Sequence, residues 1–255
     1  MEPDIVPDKL ENKINYKIIL LIVGITVFFQ VSLYYIDSEE NRNLIIYVVS
    51  IINPLVASFA SFLVAKRYTS SKTFSRAYYA LGFGYVCATL GEIIYVVYVV
   101  LELETFPSIV DVFFFGLYPF VLAHLIINIR FFKPKIKSLE LLWMALIPLV
   151  VVSIYITSSF EGDADLPFYF GVIYVLEPAI VLPLAILGAK TFRGGVIGNA
   201  WLVLVLAIIT LTIGDVWYSY IEIFDHYDLL HPVNMFWYAG YWIVVYALYK
   251  HKEGV

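Results

Sequence analysis

The chain alternates between long apolar runs and short polar stretches. Each run is continuously apolar and shows no alternation between two faces, so it predicts an α-helix and not a strand of a membrane barrel. About 18 to 20 apolar residues in a helix cross the roughly 30 Å hydrocarbon layer of a bilayer. The pattern therefore predicts eight transmembrane helices, over residues 16–36, 44–65, 76–101, 109–132, 139–160, 168–190, 197–224 and 232–250.

Composition limits what else the chain can contain. Of its 255 residues, 62% are hydrophobic and 15% are charged, and the mean hydropathy is +0.85. This apolar content exceeds that of soluble proteins, and the chain has no glycine-rich phosphate loop. We therefore expect an all-α integral membrane protein with no soluble enzymatic domain and no nucleic-acid partner. Cys87 is the single cysteine, so no disulfide within the chain and no thiolate metal site are expected.

The basic residues lie almost entirely in alternate connections. Of the 16 Lys and Arg residues, all except Arg42 fall in the N-terminal segment, in connections 2–3, 4–5 and 6–7, or at the C-terminus. Because Lys and Arg are retained on the cytoplasmic side, this distribution predicts a plasma-membrane protein with both termini in the cytoplasm. The other connections are acidic and would face outwards. Membrane lipids are the expected partners of the basic connections.

The two halves of the sequence resemble each other. "TLGEIIYVV" at 89–97 matches "TIGDVWYSY" at 212–220, an offset of 123 positions that also pairs Asp111 with Asn234 and Tyr118 with Tyr241. Four runs per copy give both copies the same direction through the membrane, which predicts a parallel 4+4 tandem repeat about a pseudo-two-fold axis. The predicted domains are a cytoplasmic segment 1–15, a first repeat 16–132, a basic linker 133–138, a second repeat 139–250 and a cytoplasmic tail 251–255.

Two acidic residues, Glu92 and Asp215, lie inside the apolar runs at equivalent positions. Each precedes an acidic residue of the next loop by ten positions, which places it roughly 15 Å from the outer end of its helix. A charge at that depth is costly, so both are candidate ligand-binding residues, with Tyr95 and Tyr218 one turn further on the same face. Two interpretations stay open. The acids form a ligand, proton or substrate site, or they make hydrogen bonds across the pseudo-axis that hold the halves together.

Two further polar residues precede a proline inside a run. Asn53 comes before Pro54 and Glu177 before Pro178, at near-equivalent positions. Proline removes a backbone hydrogen bond and kinks a helix, which opens space near the midplane. Either this space belongs to a site, or Glu177 itself satisfies the kink. The full set of candidate ligand-binding residues is Asn53, Glu92, Tyr95, Asp111, Tyr118, Glu177, Asp215, Tyr218, Asn234 and Tyr241.

Asp111 stands near the start of the fourth run, in "FPSIVDVFFFGLYP" at 106–119. Ser108 and Asp111 have the S-x-x-D spacing of a capping box, and an acid at the N-terminus of a helix suits the helix dipole. The second copy has Asn234 at the equivalent position, so the position does not require a charge. Asp111 is therefore predicted to cap the fourth helix, with a place at the rim of the site as the alternative.

The positions of histidine and lysine argue against a metal or an organic cofactor. His124 is the one histidine well inside a run, and His226, His231 and His251 are expected at interfaces or at the terminus, so a three-histidine zinc site lacks ligands. His124 is expected to be packed and hydrogen-bonded. Every lysine lies in a loop, in a tail or at the end of a run, so no lysine is placed to form a retinal Schiff base.

Two blocks of sequence carry a resemblance to known proteins. "GEIIYVVYVVLELETFPSIVDVFFFGLYP" and "GDVWYSYIEIFDHYDLLHPVNMFWYAGYWIVVYALY" resemble the multi-span membrane input regions of bacterial and archaeal sensor proteins, which often read GD..Y, PS..D...L..YP and D..W..GY. Such regions stand ahead of cyclase or kinase domains, so the resemblance implies that a partner protein supplies the output. It also implies that the recurrent polar positions of that family are Glu92, Asp111, Tyr118, Asp215, Asn234 and Tyr241.

A more distant resemblance is to the lysoplasmalogenase family, which also has eight helices. It is carried by "YVCATLGEII", "GLYPFVLAHL" and "WYAGYWIVVYALY". In that family two intramembrane aspartates are implicated in hydrolysis of the vinyl-ether bond of a lysolipid. The resemblance implies that Glu92 and Asp215 take their places.

Three functions follow in order of preference. The first is a non-enzymatic membrane module of sensory or ligand-binding type, with its polar centre in the outer half of the bundle, that acts through a partner protein. The alternative is a lysoplasmalogenase-like lipid hydrolase with Glu92 and Asp215 as its catalytic residues. The third is proton or cation translocation, which the acidic outer loops favour.

Overall fold

The computed structural model describes residues 14–68, 71–132, 134–160, 162, 164–192, 198–224 and 227–253. Within these residues the chain contains no strand and forms eight helices. They are α1 (Tyr16–Leu33), α2 (Glu39–Arg67), α3 (Lys72–Val100), α4 (Ile109–Phe132), α5 (Ser138–Ser159), α6 (Leu166–Phe192), α7 (Gly198–Phe224) and α8 (Asn234–Glu253). Each helix covers one predicted run and shares most of its residues, so the all-α prediction is confirmed. Residues 1–13 of the predicted segment 1–15 and residues 254–255 of the predicted tail lie outside the described residues, and α8 continues through 251–253 of that tail.

Seven of the described helices, α1 to α7, are long and apolar enough to cross a membrane. The eighth helix is not among the seven. Large apolar side chains point outwards from the bundle, as a surface in contact with lipid requires. Phe28, Val100 and Leu139, for example, are 75%, 72% and 69% exposed. The chain is therefore a helical integral membrane protein.

Side-chain caps mark where several helices begin. The Oδ1 of Asn15 accepts a hydrogen bond from the backbone N–H of Lys17 at 3.1 Å, at the start of α1. The hydroxyl of Ser38 accepts one from the N–H of Asn41 at 3.3 Å, at the start of α2. These bonds satisfy N–H groups that have no partner within the helix. The polar stretches between the apolar runs therefore fix the first turns of the helices that follow.

Six helices form a closed ring in which each packs against the next: α2, α3, α4, α6, α7, α8 and then α2 again. The other two helices lie outside the ring, α1 against α8 and α5 chiefly against α6. They bury few side chains, namely Thr26, Gln30 and Leu33 of α1 and Glu140 and Tyr155 of α5. The buried core comes from the six ring helices, which therefore position any site inside the bundle.

The two ends of the bundle carry different connections. At one end, Gln30 in α1 donates a hydrogen bond to the carbonyl of Leu230, which precedes α8, at 2.6 Å. At the other end, the N–H of Asn15 donates to the hydroxyl of Tyr246 in α8 at 2.9 Å. We call the first end, where α1 ends and α4 and α8 begin, the distal end. The second, where α1 begins and α8 ends, is the terminal end.

Candidate functional site

Asp215, on α7, accepts hydrogen bonds from two aromatic side chains. Trp237 of α8 donates its indole N–H to Oδ1 at 2.8 Å, and Tyr118 of α4 donates its hydroxyl to Oδ2. Both donors are uncharged. Trp237 belongs to the second half of the sequence and Tyr118 to the first, so Asp215 joins the two halves.

A glycine beside Asp215 lets α7 and α8 approach each other. A Cβ at Gly214 would lie 3.0 Å from Nε1 of Trp237 and 3.1 Å from the Cβ of Phe236. Small residues at such contacts are typical of helix packing in membranes. The ring of Tyr218, one turn after Asp215, packs on Trp237 with 5.6 Å between centroids. Tyr218 therefore lies at the edge of the site.

A second acid, Glu177 of α6, faces Asp215. The Glu177 carboxylate lies within electrostatic range of Asp215 and of Tyr118. Its Oε2 is buried and has no hydrogen-bond partner among the described residues. This oxygen therefore does not satisfy the kink at Pro178, which weakens that interpretation of Glu177. A buried acceptor without a partner is costly, so the site has unused capacity to accept a hydrogen bond.

Asp111 both caps α4 and ties it to α6. Its Oδ2 accepts the N–H of Ser108 at 2.6 Å, which is the bond that the predicted capping box requires of the acid. The Ser108 hydroxyl accepts the N–H of Val110 at 3.1 Å, one residue before the N–H that a full capping box uses. Its Oδ1 accepts the hydroxyl of Tyr174 of α6 at 2.5 Å. Tyr174 lies three residues before Glu177, on the same face of α6. Asp111 is thus also at the rim of the site, and the two interpretations of this residue are compatible.

Glu92, the equivalent of Asp215, has different surroundings. It lies within electrostatic range of Tyr238 and Tyr241 of α8. The position equivalent to Trp237 is Phe114, and a Cβ at Gly91 would lie 2.8 Å from its ring. Phe114 is placed beside Gly91 as Trp237 is beside Gly214, but a phenyl ring has no N–H to donate.

The two candidate asparagines make hydrogen bonds with α8 or with the segment that leads into it. The indole N–H of Trp242 donates to Oδ1 of Asn53 at 3.1 Å, while Nδ2 of Asn53 has no partner among the described residues. Asn234 accepts the hydroxyl of Tyr227 at 2.9 Å and donates to the carbonyl of Leu229 at 2.8 Å. Asn53 thus ties α2 to α8, and Asn234 fixes the segment that leads into α8.

The remaining candidates are tyrosines in ring contacts. Tyr95 packs edge-on against Tyr47 of α2 with centroids 6.3 Å apart, and Tyr241 packs edge-on against Tyr85 of α3 at 5.8 Å. Seven of the ten candidates fall into two groups. The Asp215 centre consists of Asp111, Tyr118, Tyr174, Glu177, Asp215 and Trp237. The Glu92 region consists of Asn53, Glu92, Tyr238, Tyr241 and Trp242, and Tyr241 lies within electrostatic range of Asp215 as well.

Sequence analysis did not identify two donors of the Asp215 centre, Tyr174 and Trp237. Trp237 stands in the W..GY part of the second sequence block, so its motif contained a usable signal. Tyr174 could have been found from its spacing of three residues before Glu177, which places both on one face of α6. Aromatic residues are too numerous in this chain, with 21 Tyr and five Trp, for their presence alone to indicate a role.

A small cavity lies between α3, α4, α6 and α7, next to the Tyr118 ring. It is lined by Tyr85, Tyr118, Thr212 and five aliphatic side chains. Its volume of about 20 Å³ is enough for about one water molecule and far too small for a lysolipid. Among the described residues, no group of three or more His, Cys, Asp or Glu side chains could hold a metal ion.

No family model matches this chain, and no curated protein or solved structure matches it either. The resemblances to sensor input regions and to lysoplasmalogenases therefore stay predictions.

Proposed function

We propose that the protein is a non-enzymatic membrane module that binds a small ligand at the Asp215 centre and signals through a partner protein. The observation that carries this proposal is the hydrogen bond from Tyr118 to Asp215. It joins α4 to α7, and with them the two halves of the sequence, at a partly buried acid. A ligand that competes for Asp215 would change how the two halves pack, which is what a sensory module requires.

The chemistry of the centre indicates what kind of ligand fits. The carboxylates of Asp111 and Asp215 receive hydrogen bonds from neutral groups, and Oε2 of a third carboxylate, Glu177, receives none from the described residues. An ion pair among the described residues, Lys190 with Glu140, lies at the terminal end, away from this centre. The centre therefore suits a ligand that brings a positive charge or N–H donors, which we take to be a small amine.

One feature favours binding over hydrolysis of a lysolipid. Both oxygens of Asp215 accept hydrogen bonds, from Tyr118 and Trp237, so the carboxyl group is placed as an acceptor for a ligand and not as a proton donor to a substrate. The experiment below must therefore distinguish the proposed binding module from a hydrolase with Glu92 and Asp215 as its catalytic pair.

The proposal includes the finer architecture expected from the sequence: eight spans including α8, a parallel 4+4 repeat, and both termini on the cytoplasmic side of the plasma membrane. Two contacts support the repeat. The contact of α4 with α6 has its counterpart in that of α8 with α2, and Gly91 with Phe114 has its counterpart in Gly214 with Trp237. The outer helices depart from it, because α5 packs on α6 whereas α1 packs on α8 and not on α2.

Binding can be tested on the full chain in lipid nanodiscs. Native mass spectrometry would look for a retained small molecule, and thermal unfolding would be followed with methylamine, choline and spermidine as probes. We expect an adduct, or a rise in melting temperature with at least one amine, for the wild type. Glu177→Gln and Asp215→Asn should weaken binding at least tenfold.

Asp165→Asn is the matched control, since it removes an exposed carboxylate that caps α6 by accepting the N–H of Phe168 at 2.9 Å, and Asn can keep this bond. It should bind like the wild type. Absence of both adduct and amine binding in the wild type, or equal binding by all variants, would refute the proposal. Release of a fatty aldehyde from a lysoplasmalogen, lost in Asp215→Asn, would establish the hydrolase instead.

A further inference from the structure

Four fully buried side chains meet near the terminal end, away from the Asp215 centre. They are Tyr78 of α3, His124 of α4, Trp201 of α7 and His251 of α8, each 0% exposed. Their ring centroids are 5.0 Å apart for Tyr78 and His124, 5.3 Å for Tyr78 and His251, and 5.3 Å for His124 and Trp201. We call these four residues the histidine cluster. His124 is packed and hydrogen-bonded as predicted. His251, expected at an interface or at the terminus, lies in the last turn of α8 but is buried.

The hydrogen bonds of the cluster are those that neutral imidazoles can make. Nδ1 of His124 donates to the carbonyl of Ala77 at 2.9 Å, which in the neutral ring leaves the lone pair on Nε2, and this nitrogen has no partner among the described residues. The Tyr78 hydroxyl lies 3.0 Å from Nδ1 and 3.1 Å from Nε2 of His251, and donates to whichever nitrogen lacks a hydrogen. Each histidine therefore keeps a place for one more proton.

The surroundings offer no compensation for a charged imidazole. Among the described residues, the titratable side chains in ring contact within or against the cluster are its own Tyr78, His124 and His251, and Tyr68, which follows α2 and stacks on Tyr78 at 5.5 Å. Phe192 of α6 packs on Trp201 at 4.1 Å and carries no charge. No acid is among the described side chains that contact either imidazole. A buried charge without a partner is costly, so protonation of either imidazole favours a conformation in which its ring is exposed to water.

The position of His251 indicates which helix can move when the imidazoles bind protons. His251 lies in the last turn of α8, two residues before the helix ends at Glu253. His124 lies in the interior of α4, where neighbouring turns on both sides hold it. Helix ends open at a much lower free energy than helix interiors. The end of α8 is therefore the element that can leave the cluster.

We propose that the histidine cluster is a second, proton-binding site, which fastens the C-terminal end of α8 while His124 and His251 are neutral and releases it when they bind protons. This site is independent of the Asp215 centre. Because the released form binds protons more readily than the fastened one, release increases as pH falls. By linkage, each titrating histidine favours release by up to about tenfold per pH unit.

The test uses the full chain in nanodiscs with Cys87→Ser and a spin label on Lys252→Cys. Electron paramagnetic resonance would measure the mobility of the label from pH 8 to pH 4, and NMR of 13C-labelled histidine would follow the imidazoles over the same range. We expect the mobile fraction to increase at least tenfold on acidification, in step with the titration of His251. Emission from Trp201, isolated by comparison with Trp201→Phe, should change together with the titration of His124, because imidazolium quenches a neighbouring indole.

His251→Asn and His124→Gln should each abolish at least half of the mobility response. His231→Asn is the matched control, because His231 also packs on a tryptophan, Trp217, with centroids 5.5 Å apart, but at the distal end. It should leave the response intact. A label whose mobility does not change while the imidazoles titrate would overturn the proposal, and so would a response that survives both cluster variants. The NMR titration of the unaltered histidines decides the matter if a variant fails to fold.

Discussion

The Asp215 centre and the Glu92 region occupy equivalent places in the two halves of the sequence, yet they are built differently. Asp215 accepts hydrogen bonds from Trp237 and Tyr118. At the equivalent positions Glu92 has Phe114, which has no N–H, and Tyr241, which lies within electrostatic range of it. Phe114 at the position of Trp237 thus removes a hydrogen-bond donor from the Glu92 region. The close contact between the aromatic ring and a glycine, Gly91 here and Gly214 beside Asp215, is kept.

The difference extends to the acids themselves. The Asp215 centre has acids at positions 111, 177 and 215, whereas the positions equivalent to them by the repeat carry Asn234, Asn53 and Glu92. Oε2 of Glu177 is buried without a partner, whereas Asn53 accepts a bond from Trp242 and has its donor Nδ2 without a partner among the described residues. The Asp215 centre therefore has an unused acceptor at the position where the equivalent residue has an unused donor. We infer that binding belongs to the Asp215 centre and that the Glu92 region is mainly structural.

Replacing each acid by alanine should give the largest contrast. Asp215→Ala leaves the Trp237 N–H and the Tyr118 hydroxyl unpaired, which should lower the free energy of unfolding by about 2 kcal/mol. Glu92→Ala removes no hydrogen bond from Phe114 and should cost about 1 kcal/mol or less. Steric trapping in nanodiscs would measure both. Equal losses in the free energy of unfolding would mean that Asp215 and Glu92 stabilise the fold to the same extent. They would contradict the distinction between the Asp215 centre and the Glu92 region.

A matched pair of tryptophan variants should give a smaller effect. Trp237→Phe removes the 2.8 Å bond to Asp215 and makes this side resemble the Glu92 region, whereas Trp242→Phe removes the 3.1 Å bond to Asn53. Hydrogen bonds to a carboxylate are roughly twice as strong as those between neutral groups. We therefore expect losses of about 1 kcal/mol for Trp237→Phe and about 0.5 kcal/mol for Trp242→Phe, measured by the same unfolding assay. The reverse order would indicate that the Asp215 carboxylate is protonated.

The helices could be predicted from the sequence because the apolar pattern is strong and the polar stretches between the runs carry caps. The run predicted over 109–132 is the helix Ile109–Phe132, and the Ser108 and Asp111 capping box at its start was visible in the spacing. The comparison of the two copies also selected Tyr118 and Asp215, which the structure brings into contact. Equivalent positions do not reveal, however, that Tyr118 reaches the acid of the other copy.

Other features depend on helix rotation and packing, which the pattern does not specify. The apolar runs of α1 and α5 look alike, but α1 packs against α8 and α5 against α6. His251 stands among charged residues near the chain end, where solvent exposure is the usual outcome, yet the turn it occupies faces Tyr78 and Trp201. Tyr174 likewise becomes a donor to Asp111 only because α4 and α6 are neighbours in the ring.

Replacing Asp111, at the start of α4, by asparagine should change the free energy of unfolding least. This variant tests whether the charge of the carboxylate is needed at the helix cap. In Asp111→Asn, the amide oxygen can accept the Ser108 N–H, and the amide nitrogen can donate to the Tyr174 hydroxyl, so both contacts of Asp111 survive with one reversed. We expect a loss below about 0.5 kcal/mol, against about 1 kcal/mol for Asp111→Ala, which removes both bonds. Asn234 already serves as an amide at the equivalent position, held by Tyr227 and Leu229. If Asp111→Asn costs as much as Asp111→Ala, the carboxylate charge itself is required, and the difference between the two halves extends to the distal end of the bundle.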